Sequence, residues 1–186
     1  MESADAEAKL FGFLANLGIK TETHRHEPVF TVEAAQACRQ SVAGAMAGGH
    51  AKSLFIRDKK KNRALVMVHE DRRVDLKALA AKIGLKRISF SSSDSLKDML
   101  GVIPGSVTPF ALVNARVTDK KEPPLIVALD QRLMAMSPLW FHPLHNGATT
   151  SIVPGDLVTF IKACGYDPSI LDLDRPDQGT ASLPGA

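Results

Sequence analysis

The runs KSLFIRD (52–58) and RALVMVHE (63–70) constrain the fold more than any other part of the chain. Both are rich in large and β-branched apolar residues, and only KKKN separates them. Two such runs read as a β-hairpin, here with a basic tip. A lone hairpin is not stable in water, so more strands and a covering layer are needed. KRISF (86–90), LIVALD (125–130), ATTSI (148–152) and Ile19–His26 supply candidate strands. WFHPL (140–144) follows a turn, and GVIPGSVTPFALVN (101–114) reads as a Pro/Gly turn leading into a strand.

Helical periods lie between the strands. Leu10, Phe11, Leu14 and Leu17 share one face, with Ser3 as cap and Gly18 as stop. Thr31 opens TVEAAQACRQ, and the Gly/Ala-rich 41–51 reads as a flexible loop over a cleft. Asp75 begins a helix carrying Leu76, Leu79, Ala80 and Ile83, stopped by Gly84. Ser93 or Asp94 caps a short helix ending at Gly101, and Asp156–Cys164 is the last helix. The pattern predicts an α/β fold: a mixed, largely antiparallel, curled sheet surrounded by helices. Residues 1–171 form one predicted domain. From Asp172 the chain turns to Asp, Pro, Gly and Ser, and 172–186 reads as a flexible tail.

Composition narrows the function classes. Aromatics are 5%, too few for a broad base-stacking surface. Net charge is +3, too small to indicate nucleic acid unless the cations cluster. Cys38 and Cys164 are distant thiols, not a disulfide scaffold, and no Cys/His spacing suggests structural zinc. The N-terminus begins with acids, not a signal peptide's basic region, and no run reaches the ~18 apolar residues of a membrane span. A reduced, cytoplasmic protein is expected.

Four features can carry chemistry. Gly101, Pro104, Gly105 and Ser106 fix a tight turn whose N–H groups can aim at a carbonyl becoming an oxyanion. The same residues fit a helix C-cap and a structural turn. His142 and Asn146, in FHPLHN, can orient water or an acyl group, or can be satisfied loop residues. Lys52 can meet a phosphate or a ribose, or can be a solvated strand-end lysine. Arg57, Lys59, Lys60, Lys61 and Arg63, with Arg72, Arg73, Lys86 and Arg87, can form a stripe along a phosphate backbone, or simply keep the sheet soluble. His24 and His26 alternate, but no third metal ligand is near in sequence. No GxSxG, P-loop or GxGxxG is present.

HEPVFTVEAA, KSLFIRDKK, VDLKALAAKIG, ISFSSSDSL, LGVIPGSVTPFALVN and FHPLHNGATTSI, in this order, resemble the aminoacyl-tRNA editing domains of the YbaK/ProX type. The likeness runs from about Leu10 to Leu171 and is strongest to the stand-alone alanyl-tRNA(Pro) deacylase branch. It implies a barrel-like mixed α/β sheet and hydrolysis of the ester of mischarged tRNA(Pro), by water helped by the ribose hydroxyl. It implies no metal, no cofactor and no covalent intermediate. Partners would be the acceptor end of misacylated tRNA(Pro) and prolyl-tRNA synthetase, with no membrane.

By the same resemblance Lys52 matches the family's central lysine, beside the terminal adenosine and its phosphate. Gly101–Gly105 match the loop that positions the ester, and His142 and Asn146 the late motif. Relatives often carry Lys-Asn at Lys52-Ser53 and Asn-Asp at Asn114-Ala115, so contacts at Ser53 are open. A pocket shaped for proline cannot strongly reject alanine, because missing carbons are worth only ~1–3 kcal/mol. A smaller second sieve can, with Val29, Phe30, Val107 and Phe110 as candidate walls. The alternatives are a Cys-tRNA(Pro) or other misacylated-tRNA deacylase, a non-catalytic tRNA-binding module, and a regulatory partner of a synthetase.

Overall fold

The computed structural model describes residues 2–28, 46–115 and 125–174. Expectations for 29–45, including Val29, Phe30 and the helix from Thr31, lie outside the described residues. In chain order the elements are α1 (Glu2–Asn16), β1 (Thr23–Arg25), β2 (Gly49–Arg57), β3 (Arg63–His69), α2 (Leu76–Lys82), β4 (Ser89–Phe90) and α3 (Ser93–Leu100). A 3-10 turn (Pro109–Val113), β5 (Ile126–Asp130), α4 (Gln131–Met134), β6 (Leu139–Phe141), β7 (Ala148–Ile152), α5 (Pro154–Ala163) and β8 (Ser169–Leu171) follow.

The strands form one mixed sheet in the order β1-β7-β6-β2-β3-β5-β8, with β4 beside β2. The β1/β7, β2/β3, β2/β4 and β6/β7 pairs are antiparallel. The β2/β6, β3/β5 and β5/β8 pairs are parallel. The predicted hairpin is the centre of the sheet, registered from Ala51↔His69 to Arg57↔Arg63. Alternation along the strands sends Phe55, Leu65 and Met67 into the main core, with α1 and α5. Ile56, Ala64, Val66 and Val68 go to a second core with Leu79 of α2. Both faces are covered, so β3 reads as a continuous apolar run rather than an alternating one. Phe160 meets Phe13 and Phe110 edge-on at 5.6 and 5.5 Å, joining α5 and α1 to the 3-10 turn.

Several sequence expectations shift. After the Pro/Gly turn there is no strand but the 3-10 turn Pro109–Val113. Pro109 has no N–H for a ladder, and the Thr108 hydroxyl accepts from Phe110 N–H, which starts a tight turn. Asn114 therefore caps that turn rather than ending a strand. The Ile19–His26 strand is limited to Thr23–Arg25, and KRISF to Ser89–Phe90. Ser92, not Ser93 or Asp94, caps α3 by accepting from Ser95 N–H. Helix α1 starts at Glu2, so Ser3 lies inside it, and α5 starts at Pro154, ahead of Asp156. Gly49–Ala51, expected in a loop, already belong to β2. Among the described residues no helix is long and apolar enough to cross a membrane.

Candidate active site

Strands β2 and β6 run parallel side by side only at Gly49↔Leu139 and His50↔Trp140. Beyond that point β6 stays with β7. On its open side β2 next meets Ser91 N–H at the Phe55 carbonyl, then β4 at Ile56 and Arg57. Ala51–Leu54 therefore have no strand partner on that side among the described residues. A crevice where neighbouring strands part is a favoured place for a ligand.

Continuing the parallel register two residues beyond His50 and Trp140 reaches Lys52 on one prong and His142 on the other. Both fall on the same sheet face as the last pair. Lys52 is half-buried, and its Nζ donates to the Glu70 carbonyl at 2.8 Å. An ammonium has three protons, so this bond holds the lysine and leaves donors for an anion or a hydroxyl. His50 stacks on Trp140 with centroids 6.2 Å apart and planes 7° apart, and its Nε2 donates to the Met46 carbonyl at 2.8 Å.

His142 Nδ1 lies 2.9 Å from the Ala148 carbonyl. A carbonyl only accepts, so Nδ1 carries the proton and Nε2 the lone pair in the neutral ring. The His26 ring stands 6.3 Å from that of His142. Its Nδ1 donates to the Glu27 carbonyl at 2.8 Å, so its Nε2 accepts from the Thr149 hydroxyl at 2.8 Å. Among the described residues no group of three or more His, Cys, Asp or Glu could hold a metal ion. His26 is a neighbour of His142, which sequence spacing did not indicate.

The loop between β6 and β7 is firmly built. Leu144 N–H closes a tight turn on the His142 carbonyl around Pro143, and Leu144 sits at φ 70° with its side chain in the core. A left-handed leucine costs about 1 kcal/mol or more, which the surrounding packing must offset. Asn146 is buried, 9% exposed. His145 accepts from Gly147 N–H at Nδ1, and its Nε2 points at Glu7 of α1, 3.6 Å away. Arg25 Nη2 also donates to Glu7, lying 3.1 and 3.2 Å from its two carboxylate oxygens. One buried carboxylate thus ties α1 to β1 and to the loop that carries Asn146.

The Gly/Pro segment is both C-cap and turn. Gly101 is left-handed at φ 65°, and its N–H bonds Lys97 O at the end of α3. The Ser106 N–H reaches Ile103 O across Pro104 and Gly105, with Gly105 at φ 87°, the pattern of a type II turn. Two of the expected backbone donors, Gly101 and Ser106, are therefore already used, and Pro104 has none. Val102, Ile103 and Gly105 N–H have no partner among the described residues. The Ser106 hydroxyl is fully buried and without a partner, a costly state for a polar group.

The predicted site residues fall on two sides of the sheet. Lys52 and His142 share one. Ser53 points to the other, with Phe55, where Val102 and Val107 join the main core. The unpaired edge of β2 lies between the two groups. Phe110 touches Phe141, the residue before His142, at 5.9 Å, linking the Gly/Pro segment to that loop. Phe110 is completely buried, so it is a core residue and not the exposed wall of a sieve; Val107 is half-buried.

The suggested basic stripe is also corrected. Arg72 is not a surface cation: its Nε bonds Asp130 at 2.8 Å, and Nη1 and Nη2 bond Asp174 at 2.8 and 2.9 Å. Its proton is held still more firmly than usual, chiefly by the Asp174 bonds.

Residues 26–160 match the aminoacyl-tRNA editing domain family. A prolyl-tRNA synthetase associated domain-containing protein 1 of Bos taurus is 36% identical over 180 residues, 94% of this chain and 99% of that protein. The prolyl-tRNA editing protein ProX of Acetoanaerobium sticklandii is 32% identical over 162 residues, 87% of this chain and 93% of that one. A solved structure described as a candidate trans-editing enzyme for prolyl-tRNA synthetase overlays with a TM-score of 0.66 at 21% identity, covering 90% and 96% of the two chains. The fold shared with that structure and the relatives that match almost end to end lead to one conclusion: this chain belongs to the aminoacyl-tRNA editing domain family.

Proposed function

We propose that the protein is a trans-editing aminoacyl-tRNA deacylase that hydrolyses the ester of Ala-tRNA(Pro) in the cytoplasm. The observation that supports this reading best is the fork: β2 and β6 part after His50↔Trp140, Ala51–Leu54 have no strand partner on that side among the described residues, and Lys52 and His142 each lie two residues past the parting. Membership of the editing family and the ProX relative support the reaction class. The working unit is residues 1–171, with 172–186 as a tail whose first residues are docked, Leu173 on the second core and Asp174 on Arg72.

In this reading Lys52 anchors the 3′ end of the tRNA through phosphate or ribose. Val102, Ile103 and Gly105 offer N–H groups to the carbonyl oxygen as it becomes an oxyanion. A water is oriented by His142 at Nε2, with Asn146 on the aminoacyl group. Water oxygen bonds to the carbonyl carbon, and the bond from that carbon to the ribose oxygen breaks. The proton from water passes to the departing ribose oxygen, directly or through His142 and the neighbouring ribose hydroxyl. Free amino acid and tRNA with a free terminal hydroxyl result. Ser53 and Val107 contact the aminoacyl group with Ser106 buried behind them, Phe30 is the further candidate for that group, and no cofactor takes part.

The test is release of amino acid from Ala-tRNA(Pro), Cys-tRNA(Pro) and Pro-tRNA(Pro) by the wild type and by Lys52→Ala. Alanine release alone, lost in Lys52→Ala with tRNA affinity little changed, supports the reading. Cysteine release moves the substrate to the other branch. Release from none of the three ends the tRNA(Pro) reading.

A further inference from the structure

Five cations and one anion lie between Arg57 and Arg63, at the tip joining β2 to β3. The chain holds 23 Lys and Arg against 20 Asp and Glu, so the remainder has 18 against 19. All of the excess positive charge therefore sits in these seven residues. Lys86 and Arg87 lead into β4, which pairs with the same end of β2 through Arg57↔Ser89.

The tip is built to hold its shape. Asp58 is 7% exposed; its Oδ1 accepts from Lys60 and Asn62 N–H, and its Oδ2 from the Asn62 amide at 2.7 Å. The one anion of the segment is thus spent inside the loop. Lys61 is left-handed at φ 66°, and Lys59, Lys60 and Lys61 are all exposed. Arg57 and Arg63 stand directly opposite across the hairpin. Phe90 pairs with Ile56, so by alternation it lies on the Lys52 face of β2 and not on that of Arg57; it is 60% exposed, an aromatic surface one residue from the cationic tip.

Resting on the proposed deacylase activity, we infer that this tip and Phe90 form the docking surface for the acceptor-stem phosphates of the tRNA. Geometry supplies the link to the fork. Lys52 and Arg57 are five residues apart on one strand, roughly 17 Å at strand rise. Four stacked unpaired nucleotides of a tRNA 3′ end span about 14 Å at 3.4 Å each. A terminal nucleotide at Lys52 thus brings the first base pairs of the stem level with the tip.

The experiment compares three full-length proteins: wild type, Lys59→Ala/Lys60→Ala/Lys61→Ala, and a control losing the same charge at scattered exposed sites, Lys20→Ala/Lys77→Ala/Lys162→Ala. Binding of unacylated tRNA(Pro) transcript is measured against salt. Turnover is measured on whole Ala-tRNA(Pro) and on an alanylated CCA trinucleotide. The tip variant is expected to bind at least 10-fold more weakly, with the salt slope smaller by roughly 2–3. It should lose kcat/KM on whole tRNA and keep wild-type rates on the trinucleotide; the control should stay near wild type throughout. Equal losses in tip variant and control would overturn the surface, as would unchanged RNA binding, even if capture of prolyl-tRNA synthetase were lost. A wild type that binds through the tip yet releases no amino acid would sink the deacylase reading and leave the surface standing. A wild type that deacylates while the tip variant matches it on whole tRNA would do the reverse.

Discussion

His142 donates its Nδ1 proton to the carbonyl of Ala148 at 2.9 Å, across the loop that turns β6 back into β7. That bond aims the ring and places its lone pair on Nε2, the atom able to take a proton from water. Replacing His142 with Ala should lower kcat on Ala-tRNA(Pro) by about 10²-fold or more, with tRNA affinity nearly unchanged. Single-turnover deacylation beside equilibrium binding checks this. A parallel loss in both would make His142 a binding contact only.

Gly101 ends α3 in a left-handed conformation, and a Cβ there would come within 3.1 Å of the Asn114 amide nitrogen. That amide donates to the Leu100 carbonyl at 3.2 Å. Gly101→Ala should destabilise the fold by roughly 1–2 kcal/mol, from the backbone cost together with displacement of this cap. Urea midpoints of Gly101→Ala, Asn114→Ala and the double variant measure it. Because both act on one cap, the double variant should cost less than the sum of the singles.

Arg72 joins the buried Asp130 to Asp174. Asp130 also accepts from Arg132 N–H, the first turn of α4. Arg72→Ala leaves a buried carboxylate without its cation, at a cost of about 3–5 kcal/mol by thermal or urea unfolding. Asp174→Asn removes only the exposed arm and should cost far less than Arg72→Ala in the same unfolding measurement.

Asp174 and Asp58 titrate below the usual carboxylate value, the first chiefly through its bonds from Arg72, the second through the Asn62 amide. A depressed carboxylate adds stability above its unfolded value of 3.8 and loses it as pH falls through the lower folded value. Unfolding midpoints should therefore drop below about pH 4, less steeply in Asp174→Asn. An unchanged acid limb in that variant would show that the Arg72–Asp174 pair adds nothing.

Cys164, at the end of α5, has its thiol pushed up to about 12 by burial. The thiolate is the reactive form, so at pH 8 native protein should react slowly with a disulfide reagent and unfolded protein quickly. A Cys38→Ser background isolates this one thiol. Fast native labelling would mean that α5 frays at its end.

The sequence by itself determined what depends on neighbours along the chain. Apolar runs and the KKKN joint give the β2–β3 hairpin, and Asp75 and Gly101 punctuate two helices, because caps and periodicity act within a few residues. The order of six local motifs was enough to show the family. Tertiary structure decided what depends on which strands become neighbours. Pro109 and Thr108 won a 3-10 turn from an apolar segment that alternation alone reads as a strand. Arg72, one cation among many in the sequence, became an internal clasp because Asp130 at the end of β5 and Asp174 just after β8 come to its side. Lys52 and His142 are 90 residues apart in sequence, and it is the parallel meeting of β2 and β6 at His50↔Trp140 that brings the strands leading to them side by side. A parallel pair between strands so distant has no local signal, since its register is set by the packing of both faces and not by a turn.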